Sequence, residues 1–298
     1  MGGEEISTIT VAVRAVGGYP GHARIHPKVL ERAARVVKEQ VKAGTVTDSG
    51  IIHCGDLLGL ILTGAIPDDL IERTFTAGQN EATELHLCPS QGNSLTLELT
   101  LTEREHEPVL VLMTDTGRTV AQILYRIFAD PLMTTRLVSD PCLREGFVFE
   151  LTLLDGVQHR YTTPGETYQL LGCLTDEEMK GIRVLKQDGT IAAVAGIERT
   201  GGAIIIRTEG SFPSVDEVLA PFLSPHLMAG MTLMPVSICD AHTTKATSPS
   251  RITAFGFALN RGRLIGPADL FDDPAFDPSR QAAVRMAGTR RMQGPFRP

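Results

Sequence analysis

Residues 94–102, SLTLELTLT, place leucine at every second position, with threonine or Glu98 between. Because successive side chains of a strand point to opposite faces, this spacing predicts a β-strand with one buried and one polar face. The segment therefore predicts a sheet that packs one of its faces against an apolar core.

The rest of the chain alternates between segments with the two-residue period of a strand and segments with the 3.6-residue period of a helix. Upstream, the pattern predicts strands at 8–16, 51–54 and 57–62, and helices at 26–42 and from Pro67 onwards. Downstream, it predicts strands at 108–114, 147–154, 184–186, 190–197, 203–207 and 252–259, and helices at 119–128, 165–174 and 215–223. No proline- or serine-rich linker and no repeat divides the sequence, which predicts one catalytic domain over residues 1–298.

Composition limits the classes of function. The net charge of −7 disfavours a nucleic-acid surface, which needs basic side chains to neutralise phosphates. No apolar run approaches the roughly 20 residues of a membrane span, and the first residues lack the pattern of a secretory signal. The five cysteines form no C-x-x-C pair, which favours reduced thiols. We expect a cytoplasmic protein that acts on small molecules, without nucleic-acid or membrane partners.

Short motifs at both ends of the chain carry a family resemblance. They stand at residues 21–22, 25–27 and 53–56, at 233–237, 260–264 and 266–274, and in between at 128–131, 140–141, 146–147, 197–199 and 225–227. Together they resemble the archaeal and bacterial fructose-1,6-bisphosphate aldolase/phosphatase family. The resemblance implies an α+β fold, an α-β-β-α layered sandwich. It also implies chemistry with several magnesium ions held by aspartates and with a Schiff-base lysine.

The family's metal ligands are only partly present. By position, its first metal aspartate falls on Ala15 and the second residue of its Gly-Asp-Asp pair falls on Leu57. His22, Asp56 and Asp115 remain. Because magnesium requires several hard oxygen ligands, this set predicts no multi-magnesium site, and we expect no metal and no cofactor.

The family's lysine loop and phosphate-binding segments are also altered. After residues 197–199, where the lysine loop should follow, the chain runs directly through residues 200–202 into the next strand. The segment that binds phosphate is shortened to residues 88–93, and His242 stands where a lysine is expected. These changes predict the loss of covalent imine catalysis by the protein.

A second resemblance explains such losses. The chain resembles the bacterial Pictet–Spengler enzymes of the marinacarboline type, which condense L-tryptophan with the ketoaldehyde oxaloacetaldehyde to give a 1-acetyl-3-carboxy-β-carboline. The resemblance implies Glu98 as catalytic acid/base, Arg73 and His86 as substrate-binding residues, and a homodimer. In this reaction the substrate brings its own amine, so that no enzyme lysine is required, and one poorly solvated carboxyl can both donate and accept protons.

Other interpretations stay open. A magnesium-dependent sugar-phosphate phosphatase or aldolase could use His22, Asp56, Asp115 and Asp240, and a non-catalytic protein of the same family is a third possibility. Taken alone, Glu98 is typical of a solvent-facing strand residue and Arg73 of an ion-paired helix residue. His86 is typical of a helix end.

Overall fold

The computed structural model describes residues 6–19, 24–90, 92–104, 106–130, 145–176, 178–223, 233–237 and 249–293. The predicted motif residues His22, Asp240 and His242 lie outside these ranges, as do residues 131–144 and 224–232. No helix within the ranges is long and apolar enough to cross a membrane.

The first sheet comes from the N-terminal third of the chain. Its strands are β1 (Ile6–Ala15), β2 (Asp48–Cys54), β3 (Leu57–Thr63) and β4 (Leu95–Thr102). They pair antiparallel in the order β2-β3-β1-β4, so that β4 lies at one edge. The alternation of residues 95–102 is confirmed, because Leu97, Leu99 and Leu101 are buried while the threonines and Glu98 are exposed.

Two helices cover one face of this sheet. Helix α1 (Pro27–Lys42) begins with its proline in the first turn, and the His26 ring accepts a hydrogen bond from the Lys28 backbone N–H at 3.3 Å. Helix α2 (Leu70–Glu84) packs beside it and buries Phe75. Their apolar faces form one core with the outer side chains of β1 and β3.

The second sheet contains nine strands within the described residues. They are β5 (Glu107–Thr114), β6 (Phe147–Leu153), β7 (Gln158–Thr162), β8 (Met179–Lys186), β9 (Ile191–Glu198), β10 (Gly201–Arg207), β11 (Leu233–Pro235), β12 (Ser250–Asn260) and β13 (Arg263–Asp269). Their order is β11-β12-β5-β10-β9-β8-β6-β7, with β13 paired to β12. The outer face of this sheet forms a core with further helices, α3 (Val120–Phe128), α4 (Thr167–Asp176) and α5 (Val215–Leu223).

The two sheets pack face to face. One apolar core joins Val11 and Leu99 of the first sheet to Val111 and Phe255 of the second. Gly196 of β9 permits this contact, since a Cβ atom there would lie 2.4 Å from Leu95 Cδ1. The result is helices, sheet, sheet and helices, which confirms the predicted α-β-β-α sandwich.

Four strands or α-helices were not predicted. Strands β7 and β13 contain no buried residue, so they lack the clear alternation that identifies a half-buried strand, and β11 has only three residues. The fourth is the last helix, α6 (Asp277–Gln293). The Arg280 guanidinium holds α6 to the body of the protein by donating to the backbone oxygen of Pro235 at 2.9 Å.

Candidate functional site

A polar cleft lies where the two sheets meet. It has a volume of about 410 Å³, within the usual range of small-molecule sites. One wall is the end of β1 with Gln79 of α2, and the other is the turn between β9 and β10. The segment that contains Ser90, Gly92 and Asn93 closes the cleft between them.

Two arginines provide the positive charge of the cleft. Arg14 is mostly buried, and it donates to Glu72 Oε1 at 2.7 Å and to the backbone oxygen of Gly92 at 3.2 Å. Arg199, in the β9–β10 turn, is exposed and makes no side-chain hydrogen bond or ion pair with any described residue. Arg199 is therefore a guanidinium that can bind an anion from solution.

The remaining lining groups are hydrogen-bonding groups. Glu198 supplies a half-buried carboxylate, and Gln79, Ser90, Asn93 and Thr200 supply amides and hydroxyls. None of the described lining residues is aromatic, and the aliphatic side chains of Val13, Leu57 and Leu95 line only a small adjoining pocket. Such a surface suits a small, hydroxylated anion better than a flat apolar ring, which gains most of its binding energy from apolar contact.

A second group of polar residues lies at the ends of β2, β5 and β12. Arg251 is fully buried, and its backbone N–H donates to Asp115 Oδ1 at 2.8 Å. Its side-chain Nε lies 3.4 Å from Asp115 Oδ2. Cys54 donates its S–H to the backbone oxygen of Arg251 at 3.7 Å. Burial, with the nearby charge of Asp115, raises the pKa of Cys54 to about 12, so this thiol is protonated at neutral pH.

His53 lies beside this group. Burial, together with the positive charges of Arg24 and Arg251, lowers the pKa of His53 to about 4, against a smaller opposing effect of Asp269. The imidazole is therefore neutral at physiological pH. Asp269 also accepts a hydrogen bond from the Ser237 hydroxyl at 2.8 Å, which ties the end of β13 to the residues after β11.

Lowering the pH from 6.5 to about 4 is expected to destabilise the protein through His53. The unfolded chain binds a proton near pH 6.5, whereas the folded chain does so only near pH 4, so the unfolded state holds more protons in between. The neutral imidazole of His53 therefore contributes about 3 kcal/mol to the free energy of unfolding. This contribution is complete above pH 6.5 and lost by about pH 4. Urea unfolding across this window should show a shallower pH dependence for His53→Gln than for His86→Gln, since His86 is exposed. Equal slopes for the two variants would contradict this assignment.

The carboxylates of the described residues do not fit a multi-magnesium site. Asp56 and Asp115 are both buried, but Asp115 is hydrogen-bonded to Arg251. Ala15 and Leu57, at two metal-ligand positions implied by the resemblance, are buried in the core between the sheets. In the described ranges no three His, Cys, Asp or Glu residues are grouped as metal ligands would be.

The three residues predicted to act on the substrate do not line the cleft. Glu98 is exposed on the outer face of the edge strand β4, opposite Thr10 of β1. Arg73 is exposed on α2 and forms an ion pair with Asp69 at 2.9 Å. His86 is exposed just after α2, with a φ of 53°. Glu98 thus lies on an exposed face and not in the cleft.

Comparison with known proteins decides the family. The family model described as Fructose-1,6-bisphosphatase matches residues 6–85 and 73–298. The chain is 36% identical to the fructose-1,6-bisphosphate aldolase/phosphatase of Ignicoccus hospitalis, over 98% of this chain and 86% of that protein. The protein of the same name from Moorella thermoacetica is 33% identical, over 99% of this chain and 88% of that protein.

The chain belongs to this family. The family is enzymatic, and the relatives' names concern sugar-phosphate metabolism. The prediction of a Pictet–Spengler cyclase of alkaloid biosynthesis, with L-tryptophan and a ketoaldehyde as substrates, is therefore wrong. It relied on a second resemblance, whereas the aldolase/phosphatase relatives match over nearly the full length. The roles of Glu98, Arg73 and His86, and the homodimer, stay predictions.

Sequence reasoning did not select the residues of the cleft. Glu198 and Arg199 were noted only as part of a motif, and Ser90 and Asn93 only as part of a shortened segment. One signal was present, because the turn after Arg199 is where the resemblance implied a lysine loop that this sequence lacks. In the structure the end of β9 and this turn line the cleft.

Proposed function

We propose that the protein binds a sugar phosphate in the cleft between Arg14 and Arg199. The observation that carries the proposal is the Arg199 guanidinium, which lines the cleft and has no partner among the described residues. Guanidinium groups bind phosphate oxygens through paired, charge-assisted hydrogen bonds. The names of the relatives, which include fructose 1,6-bisphosphate, support this class of ligand.

The polar lining suits the sugar part of such a ligand. Ser90, Asn93 and Thr200 can donate to and accept from hydroxyl groups, and the Glu198 carboxylate can accept from them. A ligand that leaves these groups without partners would bind weakly, because desolvated polar groups are costly. The cleft therefore favours a polyhydroxylated ligand over a simple phosphate ion.

The lysine-dependent aldol step is not supported by the described residues. None of the lysines in the described part of the chain lines the cleft, and Gly201 and Gly202 lead directly into β10. Formation of an imine requires a lysine amine within reach of the substrate carbonyl. We therefore propose recognition of the sugar phosphate without covalent catalysis by this wall of the cleft.

A magnesium-dependent phosphatase is a second candidate. Asp56 and Asp115 favour it, because both are buried carboxylates at positions where the resemblance implies metal ligands. Within the described part of the chain these two carboxylates, one of them hydrogen-bonded to Arg251, form too small a set for several magnesium ions. Phosphate release from fructose 1,6-bisphosphate, assayed with and without added magnesium, distinguishes the candidates. We expect sugar-phosphate binding that does not depend on magnesium, and magnesium-dependent release would favour the phosphatase.

Arg14 and Arg199 are each expected to contribute to sugar-phosphate binding, and loss of both should abolish measurable binding. A hydrogen bond to a charged group contributes about 1.5–3 kcal/mol, so each substitution, Arg14→Ala or Arg199→Ala, should weaken binding about 10- to 100-fold. Isothermal titration calorimetry with fructose 6-phosphate measures the effect, and Arg32→Ala, an exposed arginine of α1 outside the cleft, is the matched control. Equal affinities for Arg199→Ala, Arg32→Ala and the wild type would refute the site. Arg199→Ala is the cleaner variant, since Arg14 also contacts Glu72 and Gly92.

A further inference from the structure

The guanidinium of Arg14 is held between two oxygen atoms. Its Nη1 atom donates to Oε1 of Glu72, in the first turn of α2, at 2.7 Å. Its Nε atom donates to the backbone oxygen of Gly92 at 3.2 Å. Arg14 and Gly92 line the cleft, and Glu72 approaches the guanidinium from α2. Arg14 therefore connects α2 to the segment that closes the cleft.

These two contacts obstruct both edges by which Arg14 can bind a phosphate. A guanidinium binds phosphate most strongly when two neighbouring N–H groups point to two phosphate oxygens. One such edge is formed by Nε and Nη2, and here Nε donates to Gly92. The other edge is formed by Nη1 and Nη2, and here Nη1 donates to Glu72. A phosphate can therefore form paired hydrogen bonds with Arg14 only if one of these two partners withdraws.

Glu72 is the partner that can withdraw. Its side chain is 62% exposed, against 19% for Arg14, so water can replace the guanidinium as its partner. Gly92 belongs to a closely packed segment, since a Cβ atom there would lie 3.3 Å from Thr200 Oγ1 and 3.9 Å from Ala15 Cβ. Moving the Gly92 carbonyl requires moving the segment, whereas moving the Glu72 carboxylate requires only rotation about side-chain bonds.

We propose that Glu72 is an internal competitor of the ligand, which occupies Arg14 in the ligand-free protein and is displaced by a phosphate group of the bound sugar. This inference rests on the proposed function, because it assumes that Arg14 binds a sugar phosphate. A phosphate carries a charge of about −1.5 to −2 at neutral pH and presents several acceptor oxygens, so it can replace a carboxylate of single charge. Breaking the pair of Arg14 and Glu72 lowers the affinity of the cleft about two- to fivefold, as expected for an exposed pair.

The first test removes the charge of Glu72 and keeps its shape. Fructose 1,6-bisphosphate is titrated by calorimetry into the wild type, Glu72→Gln and Glu84→Gln, at fixed ionic strength and without divalent metal. Glu84 is an exposed residue of the same helix, so its substitution changes the net charge equally. We expect Glu72→Gln to bind about two- to fivefold more tightly than the wild type, and Glu84→Gln to stay within about 1.5-fold of it.

The direction of the change distinguishes competition from positioning. If Glu72 held Arg14 in the geometry that binds phosphate, Glu72→Gln would weaken binding, and this result would overturn the inference while leaving the proposed function intact. An unchanged affinity would overturn it as well, as would an equal gain in Glu84→Gln, which would reflect net charge alone. Absence of binding by all three proteins would refute the proposed function itself.

The second test asks whether Glu72 acts through Arg14. In an Arg14→Ala background Glu72 has no guanidinium for which to compete, so adding Glu72→Gln should change the affinity by less than about 1.5-fold. The same gain with and without Arg14 would show that Glu72 repels the ligand directly, and the proposed displacement would then be wrong.

Discussion

Asp115→Ala is expected to lower the free energy of unfolding by about 3–5 kcal/mol. Arg251 is fully buried, and the carboxylate of Asp115 accepts from its backbone N–H at 2.8 Å and contacts its guanidinium at 3.4 Å. Removing the carboxylate leaves a desolvated guanidinium without this partner, and the remaining charge is costly inside the protein. Chemical denaturation at neutral pH measures the change.

An exposed pair of the same chemistry is the control. Asp69 and Arg73 form an ion pair at 2.9 Å on the surface of α2, where water screens both charges. Asp69→Ala should therefore cost no more than about 0.5 kcal/mol. The double variant Asp115→Leu/Arg251→Met should recover part of the stability, because two apolar side chains replace both charges of this pair. Similar losses for Asp115→Ala and Asp69→Ala would mean that the buried pair does not stabilise the fold.

Glu107→Ala is expected to have an effect of similar size at the opposite end of the sheets. Glu107 is fully buried at the start of β5, where Arg104 donates to it at 2.6 Å and Arg207 at 3.0 Å. Arg207 is itself buried and lies over the ring of Phe212, 4.6 Å from its centroid. The substitution leaves the Arg207 charge without its carboxylate, which should cost about 3–5 kcal/mol in the free energy of unfolding.

The pH dependence of Glu107 has a definite sign. Burial by itself raises the pKa of Glu107, but hydrogen bonds and charges from Arg104 and Arg207 outweigh burial, so the pKa is lowered. The unfolded carboxyl is protonated at a higher pH than the folded one, so the contribution of Glu107 to the free energy of unfolding is present above the pKa of the unfolded group and is lost as the pH falls through the folded pKa.

Glu150→Ala is the matched control for Glu107→Ala, since Glu150 lies 3.6 Å from Arg183 and 3.9 Å from Arg160 at the surface. For Glu150→Ala we expect a loss of at most about 1 kcal/mol in the free energy of unfolding. Equal losses for Glu107→Ala and Glu150→Ala would contradict the stabilising role of Glu107.

The sequence predicted the elements whose side chains alternate between core and solvent. Strand β4 and helices α1 and α2 follow the simple periods of strand and helix, because each buries one face only. Strands β7 and β13 were not predicted, since they contain no buried residue and are held by backbone pairing with β6 and β12. Backbone hydrogen bonds leave little trace in side-chain periodicity.

The candidate functional site could likewise not be predicted from side-chain periodicity alone. The alternation of β4 established which side chains share the face of Glu98, but it did not establish what covers that face. Because β4 lies at the sheet edge, Glu98 faces solvent there. The cleft instead takes Arg14 from β1 and Arg199 from a turn of the other sheet, and no local pattern brings these two residues together.

By itself, the sequence determined the layered α+β fold and the family, because local periodicity and family motifs are written along the chain. The tertiary structure decided which charged groups meet. Asp115 and Arg251 are 136 positions apart, and Glu107 and Arg207 are 100 positions apart. Their pairing depends on how strands from distant parts of the chain are ordered in the sheet. Whether a charge is buried and paired, or free to bind a ligand as in Arg199, is a property of that ordering, since it sets the distance between charges and their access to water.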